Sequence, residues 1–146
     1  MAREILICDS SFVGHLLQQR KMPNRYEGWD EAVLERLFGG VLAISVVTIA
    51  EMRAGYLKAR WGNRRVAESE RTVAEFVPIL IDNPHLDEWA RLWAAARRRG
   101  IALSDNDLWI AATASVRERT LVTCDKDHVR IAPELGGEVL YLAPPV

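Results

Sequence analysis

Two cysteines, Cys8 and Cys124, are all that the 146 residues contain. That number supports neither a disulfide framework nor a cysteine-built zinc site. The apolar runs are short, well below the ~20 residues of a bilayer-spanning helix, so no membrane segment is expected. The opening Met1-Ala2-Arg3-Glu4 leads straight into an apolar run too brief for the core of a signal peptide, and the expected location is the cytoplasm. Formal net charge is only −1, so the total does not mark a nucleic-acid binder. Internal repeats, low-complexity segments and linkers are all missing. So are a Gly-rich phosphate loop and any readable Ser-His-Asp or Cys-His pattern. What is left is an ordinary globular composition, 49% apolar and 27% charged, long enough for one domain with a full core. Nearly all of the 19 basic residues are arginines, whose planar fork suits phosphate; biased codon usage accounts for the same excess.

The chain is organised around Ile5-Leu6-Ile7-Cys8-Asp9, a short Ile-rich run that ends in a carboxylate. Such a run reads as a strand buried on both faces, as in the middle of a parallel sheet. Ser10 to Arg20 follows as a helix with Phe12, Val13, Leu16 and Leu17 on one face. Met22 to Tyr26 reads as a loop, and Glu27 to Phe38 as a helix stopped by Gly39-Gly40. Val41 to Val47 is a second buried strand. Thr48 to Trp61 and Arg64 to Phe76 form a helical hairpin carrying Arg53, Lys58, Arg60, Arg64, Arg65 and Arg71. A short strand over Val77 to Ile81 is cut off by Asp82-Asn83-Pro84. His85 to Arg99 is amphipathic and ends in Arg97-Arg98-Arg99-Gly100, cations at the negative end of the helix dipole followed by a glycine stop. A helix opened by Asp107 runs to about Arg117, Thr120 to Thr123 is a strand ending near Asp125, and Glu138 to Leu142 is the last strand. This alternation implies an α/β fold, a parallel sheet with helices on both faces.

Four carboxylates stand out by position. Asp9 follows the first strand, Glu51 lies one turn into the helix after the second, Asp107 opens a helix, and Asp125 follows the strand ending at Thr123. A parallel sheet puts all four at its carboxyl edge. They converge on one crevice if the strand order reverses beside the first strand. Two unit charges about 4 Å apart repel by roughly 4 kcal/mol at an effective dielectric of 20, so such a group takes up protons or binds a cation. Oxygen-only ligands suit Mg²⁺ or Mn²⁺, ions that hold phosphate oxygens and activate water for phosphodiester cleavage. Each residue also has a purely structural role open to it. Asp9 could cap the next helix, Thr48 and Glu51 match a capping box, Ser104 and Asp107 have similar spacing, and Asp125 suits a turn. Asp105 and Asp127 are ambiguous neighbours; residues two apart on a helix face away from each other, so Asp105 is not expected to share an ion with Asp107. His128 reads as a solvated turn residue, and His15 as packed or exposed.

At these residues the sequence resembles the PIN-domain ribonucleases, and most closely the VapC toxins of bacterial toxin–antitoxin pairs. The matching stretches are Ile7-Cys8-Asp9-Ser10-Ser11, Val47-Thr48-Ile49-Ala50-Glu51, Asp107-Leu108-Trp109-Ile110-Ala111-Ala112-Thr113-Ala114 and Leu121-Val122-Thr123-Cys124-Asp125, in order across nearly the whole chain. The resemblance implies a single PIN-like domain over residues 1–146 with a sheet of about five strands in the order 3-2-1-4-5. It implies an Mg²⁺- or Mn²⁺-dependent endoribonuclease whose substrate is a tRNA or ribosomal RNA loop, and a small VapB-type antitoxin as partner. Asp9, Glu51 and Asp107 correspond to the core metal ligands and Asp125 to a more variable fourth acid; Thr123 and Ser10 are supporting hydroxyls. A homodimer follows from the resemblance and from five tryptophans, since aromatics are enriched at interfaces.

Other readings stand beside this one: a housekeeping PIN nuclease without an antitoxin, a catalytically inert PIN-fold binding module, and a phosphoacceptor-type Asp domain. Ser11 argues against the last, because a phosphatase of that kind has a second Asp there. Two smaller expectations concern packing. Cys8 and Cys124 should lie on adjacent strands, buried and reduced, and Met52, Tyr56 and Leu57 are candidate anchors for an antitoxin segment.

Overall fold

The computed structural model describes residues 2–19 and 29–143. Strands and helices alternate along the chain: β1 (Ile5–Cys8), α1 (Ser10–Gln19), α2 (Glu31–Gly39), β2 (Val41–Ser45), α3 (Val46–Lys58), α4 (Asn63–Val73), β3 (Val77–Ile79), α5 (Asn83–Arg98), α6 (Asp105–Ser115), β4 (Thr120–Thr123), α7 (Lys126–Ile131) and β5 (Val139–Tyr141). A 3₁₀ turn, Ala132–Glu134, joins α7 to β5. Every strand pair is parallel, and the order is β3-β2-β1-β4-β5. From β1 the chain winds outward through β2 and β3, then returns to build β4 and β5 on the other side. The reversal falls between β1 and β4, so the crevice of this α/β sheet opens beyond Cys8 and Thr123.

The two-residue period of the strands divides the core into layers. Leu6, Cys8, Ile44 and Val122 point to one face, where Phe12, Val13 and Leu16 of α1 and Leu37 of α2 cover them. Ile7, Ala43 and Leu121 point to the other and pack on Ile110 and Ala114 of α6. A third cluster joins α5 to α6 through Leu92, Ala96, Leu108, Ala111 and Ala112. β3 is one edge of the sheet, and there Pro78 is tolerated because an edge strand need not donate on both sides.

Local chemistry fixes the boundaries, and several differ from the sequence expectation. β2 stops at Ser45 because the Ser45 hydroxyl caps α3 through the Val47 N–H, at 3.2 Å. The helix therefore starts ahead of Thr48, and the expected Thr48–Glu51 capping box does not form. Thr48 is buried with its hydroxyl unpaired. α5 begins at Asn83 rather than His85, and Asp82 and His85 supply its capping box. At its other end Gly100 takes φ 63°, while Ile101 N–H bonds the Ala96 carbonyl (2.8 Å) and Gly100 N–H the Arg97 carbonyl (3.2 Å). That is a Schellman ending, and glycine suits its left-handed position. α7 was not expected from the sequence; at six residues it is too short to show a helical period. The expected loop over 22–26 and the first residues of the expected helix at 27 and 28 lie outside the described residues.

Both cysteines are free. β1 and β4 are adjacent, with Cys8 opposite Val122. Cys8 is fully buried, whereas Cys124 lies just past β4 and is only half-buried. Burial holds the Cys8 thiol pKa far above its usual value and pushes that of Cys124 up to about 11.

Candidate active site

The end of β1 delivers Asp9 into the crevice, where it is 2% exposed. Its carboxylate is fully engaged. Oδ1 accepts from the Ser11 hydroxyl at 2.6 Å and from the Phe12 N–H at 3.0 Å, so Asp9 does cap the start of α1. Oδ2 accepts from the Thr123 hydroxyl at the end of β4 and meets His128 Nδ1 of α7 at 3.1 Å. Two backbone N–H groups orient these hydroxyls: Cys124 donates to Ser11 Oγ and Asp125 to Thr123 Oγ1, each at 2.9 Å. Ser11, Thr123 and His128 thus form one buried polar network around a single carboxylate.

His128 is 1% exposed, contrary to the expectation of a solvated turn residue. α7 turns it back under β4, and a helix this short gives no sequence signal of that direction. Burial alone would lower its pKa, but the hydrogen bond and charge of Asp9, with the charge and backbone carbonyl of Asp107, raise it above the usual histidine value. The reciprocal holds at Asp9. Burial would raise that carboxyl, yet His128, Ser11 and Thr123 outweigh it and hold the pKa below the ordinary carboxylate range. His128 Nε2 is buried and makes no regular hydrogen bond. His15, by contrast, is half-buried and tilts onto Trp29.

The other acids stand around this network at the same sheet edge. Glu51, in the second turn of α3, accepts from the Ser10 hydroxyl at 2.8 Å. Ser10 therefore ties the start of α1 to α3, and Glu51 lines a groove with Lys58, Asn106 and Trp109. Asp107 closes a capping box with Ser104: the Ser104 hydroxyl accepts from Asp107 N–H (3.1 Å), and Asp107 Oδ2 from Ser104 N–H (3.2 Å). Asp125 caps α7 through the Asp127 N–H at 2.9 Å. Asp105 is exposed at the start of α6, and Asp127 is half-buried. By type the donors are hard oxygens, the set a small dication prefers. By position they are spread: among the described residues no three His, Cys, Asp or Glu side chains stand close enough to hold an ion. Glu51 and Asp107 are drawn to Ser10 and Ser104 rather than to a common point.

The family model described as the PIN domain matches residues 6–133. The chain belongs to the PIN-domain family.

Among curated relatives of this PIN domain, Ribonuclease VapC5 of Mycobacterium tuberculosis is 33% identical over 109 residues, covering 73% of this chain and 80% of that protein. Ribonuclease VapC4 of the same organism is 30% identical over 128 residues, covering 86% and 89%. A chain of VapBC-5 from M. tuberculosis, a VapBC-family toxin–antitoxin system, superposes with a TM-score of 0.70 at 27% identity over 94% of this chain and 98% of that one. VapBC2 from Rickettsia felis, solved bound to a DNA fragment from its promoter, gives 0.76 at 20% identity over 93% and 98%, a likeness of fold. The recognised family and the sheet order 3-2-1-4-5 are therefore those expected from the four sequence stretches.

The hairpin of α3 and α4 corrects one expectation within this PIN domain. Tyr56 is buried, 6% exposed, and stacks on Trp61 with ring centroids 5.3 Å apart. Met52 packs against the α1 core cluster. Of the three candidate anchors only Leu57 is open, 80% exposed, on a groove with Val46, Ile49, Ala50, Arg53 and Ala54. No described helix is long and apolar enough to cross a membrane.

Proposed function

We propose that the protein is an Mg²⁺- or Mn²⁺-dependent endoribonuclease, the toxin of a type II toxin–antitoxin pair, in which the whole of residues 1–146 works as one cytoplasmic nuclease domain. The observation that carries this reading is Asp9: a carboxylate held ionised in a buried network at the switch of the sheet, with Glu51, Asp107 and Asp125 along the same edge. The identity with proteins named ribonucleases supports it.

Asp9, Glu51 and Asp107 would hold the ion, with Asp125 beside them. When bound, the ion supplies charge for the phosphate oxygens and a more acidic water. The chain's own part is preorganisation. Thr123, Ser11 and His128 keep Asp9 deprotonated and fixed in direction, and Ser10 does the same for Glu51. Mutual repulsion of the carboxylates would be relieved by a bound cation. Asp105 and Asp127 receive no direct role: one is exposed on α6 and the other lies beyond the α7 cap.

The RNA is a tRNA or ribosomal RNA loop, and the working form is a homodimer. A VapB-type antitoxin lays an amphipathic segment in the groove at Leu57 and brings an arginine to the carboxylates, where a bidentate fork competes with the metal. Inhibition then weakens as Mg²⁺ rises through the millimolar range. The purified chain, incubated with cellular RNA and Mg²⁺, is expected to produce discrete new ends on sequencing, and chelation to abolish them. Identical ends with chelator, or from the Asp9→Asn chain, would refute the reading.

A further inference from the structure

The groove that Glu51 lines also contains parts that the capping and metal-ligand roles leave unused. Trp109 lies two residues after Asp107 on α6 and forms one wall with Asn106; Glu51, Gly55 and Lys58 of α3 form the other. Trp109 is backed. Trp89 of α5 stacks on it with centroids 5.1 Å apart and planes 25° apart, and Trp89 Nε1 donates to the Asp105 carbonyl at 3.2 Å. The ring is therefore a supported platform whose remaining surface lines the groove. Small residues keep the α3 side open: a Cβ added at Gly55 would meet nothing within 4 Å. The two polar groups are uncommitted. Among the described residues Lys58, exposed at the end of α3, makes no ion pair, and the exposed Asn106 amide makes no hydrogen bond.

We propose that this groove is a nucleotide subsite that takes one unstacked base of single-stranded RNA on Trp109, with Asn106 on the base edge and Lys58 on a flanking phosphate. This rests on the reading of the protein as a ribonuclease and adds where its substrate is gripped. The chemistry matches the ligand. Sequence-selective RNA recognition targets splayed bases, which stack on aromatic rings and are read through their edges. An amide offers both a donor and an acceptor to such an edge, and a flexible ammonium suits a phosphate as a point charge. Glu51 at one end of the same groove puts the base next to the proposed reacting phosphate. A second copy of the chain is the competing occupant, and Lys58 counts against it, because lysine is depleted from protein interfaces whereas an unpaired cation is useful against RNA.

The test measures binding of short fluorescein-labelled oligo(U), oligo(A), oligo(C) and oligo(G) RNAs by anisotropy, using the full chain with Asp9→Asn so that the probe stays intact. Trp109→Leu is expected to weaken binding about 5- to 150-fold, the range for losing one stacked base, and Trp109→Phe to restore most of it. Gly55→Leu places a side chain where a Cβ meets nothing within 4 Å and should weaken binding similarly, with a melting temperature no lower than the parent's separating blockage from misfolding. Asn106→Ala should level the preference among the four probes. Unchanged affinity in both Trp109→Leu and Gly55→Leu, in a protein whose parent cleaves RNA, would overturn the subsite alone. A change in solution mass by light scattering without a change in RNA affinity would overturn it in favour of a contact between copies. Failure of every form to bind any probe would overturn the ribonuclease reading together with it.

Discussion

The two ends of the sheet carry the same kind of residue and treat it oppositely. At the amino end Glu4 precedes β1 and Glu138 precedes β5, and Arg36 of α2 lies between them. Its guanidinium meets Glu4 at 2.7 and 3.1 Å and Glu138 at 2.5 and 3.0 Å, while Thr120 donates to Glu4 at 2.9 Å. The side-chain hydrogen bonds of Arg36 lead the causes that hold both glutamates below their usual pKa. At the carboxyl end Asp9, Glu51, Asp107 and Asp125 receive hydroxyls, backbone N–H groups and one histidine, and among the described residues no lysine or arginine pairs with any of them. One end carries its counter-ion within the fold. The other leaves negative charge over, in a rigid hydrogen-bonded frame, where a cation from solution would be the missing partner. The glutamates at the amino end are neutralised by Arg36; on the proposed reading, the acids at the sheet switch take their counter-charge from a metal ion.

The sharpest way to break this contrast is to neutralise the carboxyl end. Asp9→Asn, Glu51→Gln and Asp107→Asn should each lower RNA cleavage by more than about 100-fold, since even outer partners of a metal site are worth 10- to 100-fold. Circular dichroism should show the fold kept, and full cleavage by any of the three, with contaminating nuclease excluded, would refute that residue's part. Asp125→Asn should lower activity less. Next comes His128→Ala, which removes the imidazole paired with Asp9. Mg²⁺ affinity by calorimetry should fall about 10- to 100-fold, and the metal-free protein should lose stability because a buried carboxylate is left underpaired. A His128→Ala chain that binds Mg²⁺ as the parent does would make His128 a packing residue only.

Arg36→Met tests the other end and should do less. Partly exposed ion pairs are worth up to about 1 kcal/mol each, so denaturant melts should show a loss of about 1–2 kcal/mol with cleavage unchanged. The pH dependence follows from the lowered glutamate pKa values. A carboxyl depressed in the fold stabilises it above its unfolded pKa, about 4.3 for Glu, and that stability is lost as pH falls through the folded value. The parent should therefore lose more stability than Arg36→Met below about pH 4, and the two curves should run parallel at neutral pH. The smallest effect is at the thiols. In native protein Cys124 should label slowly and Cys8 only on unfolding; rapid modification of both would show that the β1 end is looser than its packing implies.

Much of this contrast was legible in the residues. Short apolar runs ending in Asp9 and near Asp125 marked central strands and their carboxyl edge, because a strand buried on both faces leaves no polar alternation to confuse the reading. Ser104 and Asp107 announced their capping box through spacing alone. The hidden parts depend on direction. Ser45 caps α3 from inside an apparent strand, so Thr48 looked like the cap. Tyr56 turns inward on a helix whose apolar face is poorly segregated. His128 belongs to a helix too short to show a period, and only the fold brings it under Asp9. The Arg36 bridge joins residues 32 and 102 positions apart, a distance no local pattern spans.

The most direct test of the unneutralised end is a thermal melt with and without millimolar Mg²⁺. Binding to the folded state raises its stability by mass action. The parent and Arg36→Met should both gain melting temperature with Mg²⁺, and Asp9→Asn should gain little or none. An equal gain in Asp9→Asn, or none in the parent with either Mg²⁺ or Mn²⁺, would contradict a cation site at the carboxyl end of the sheet.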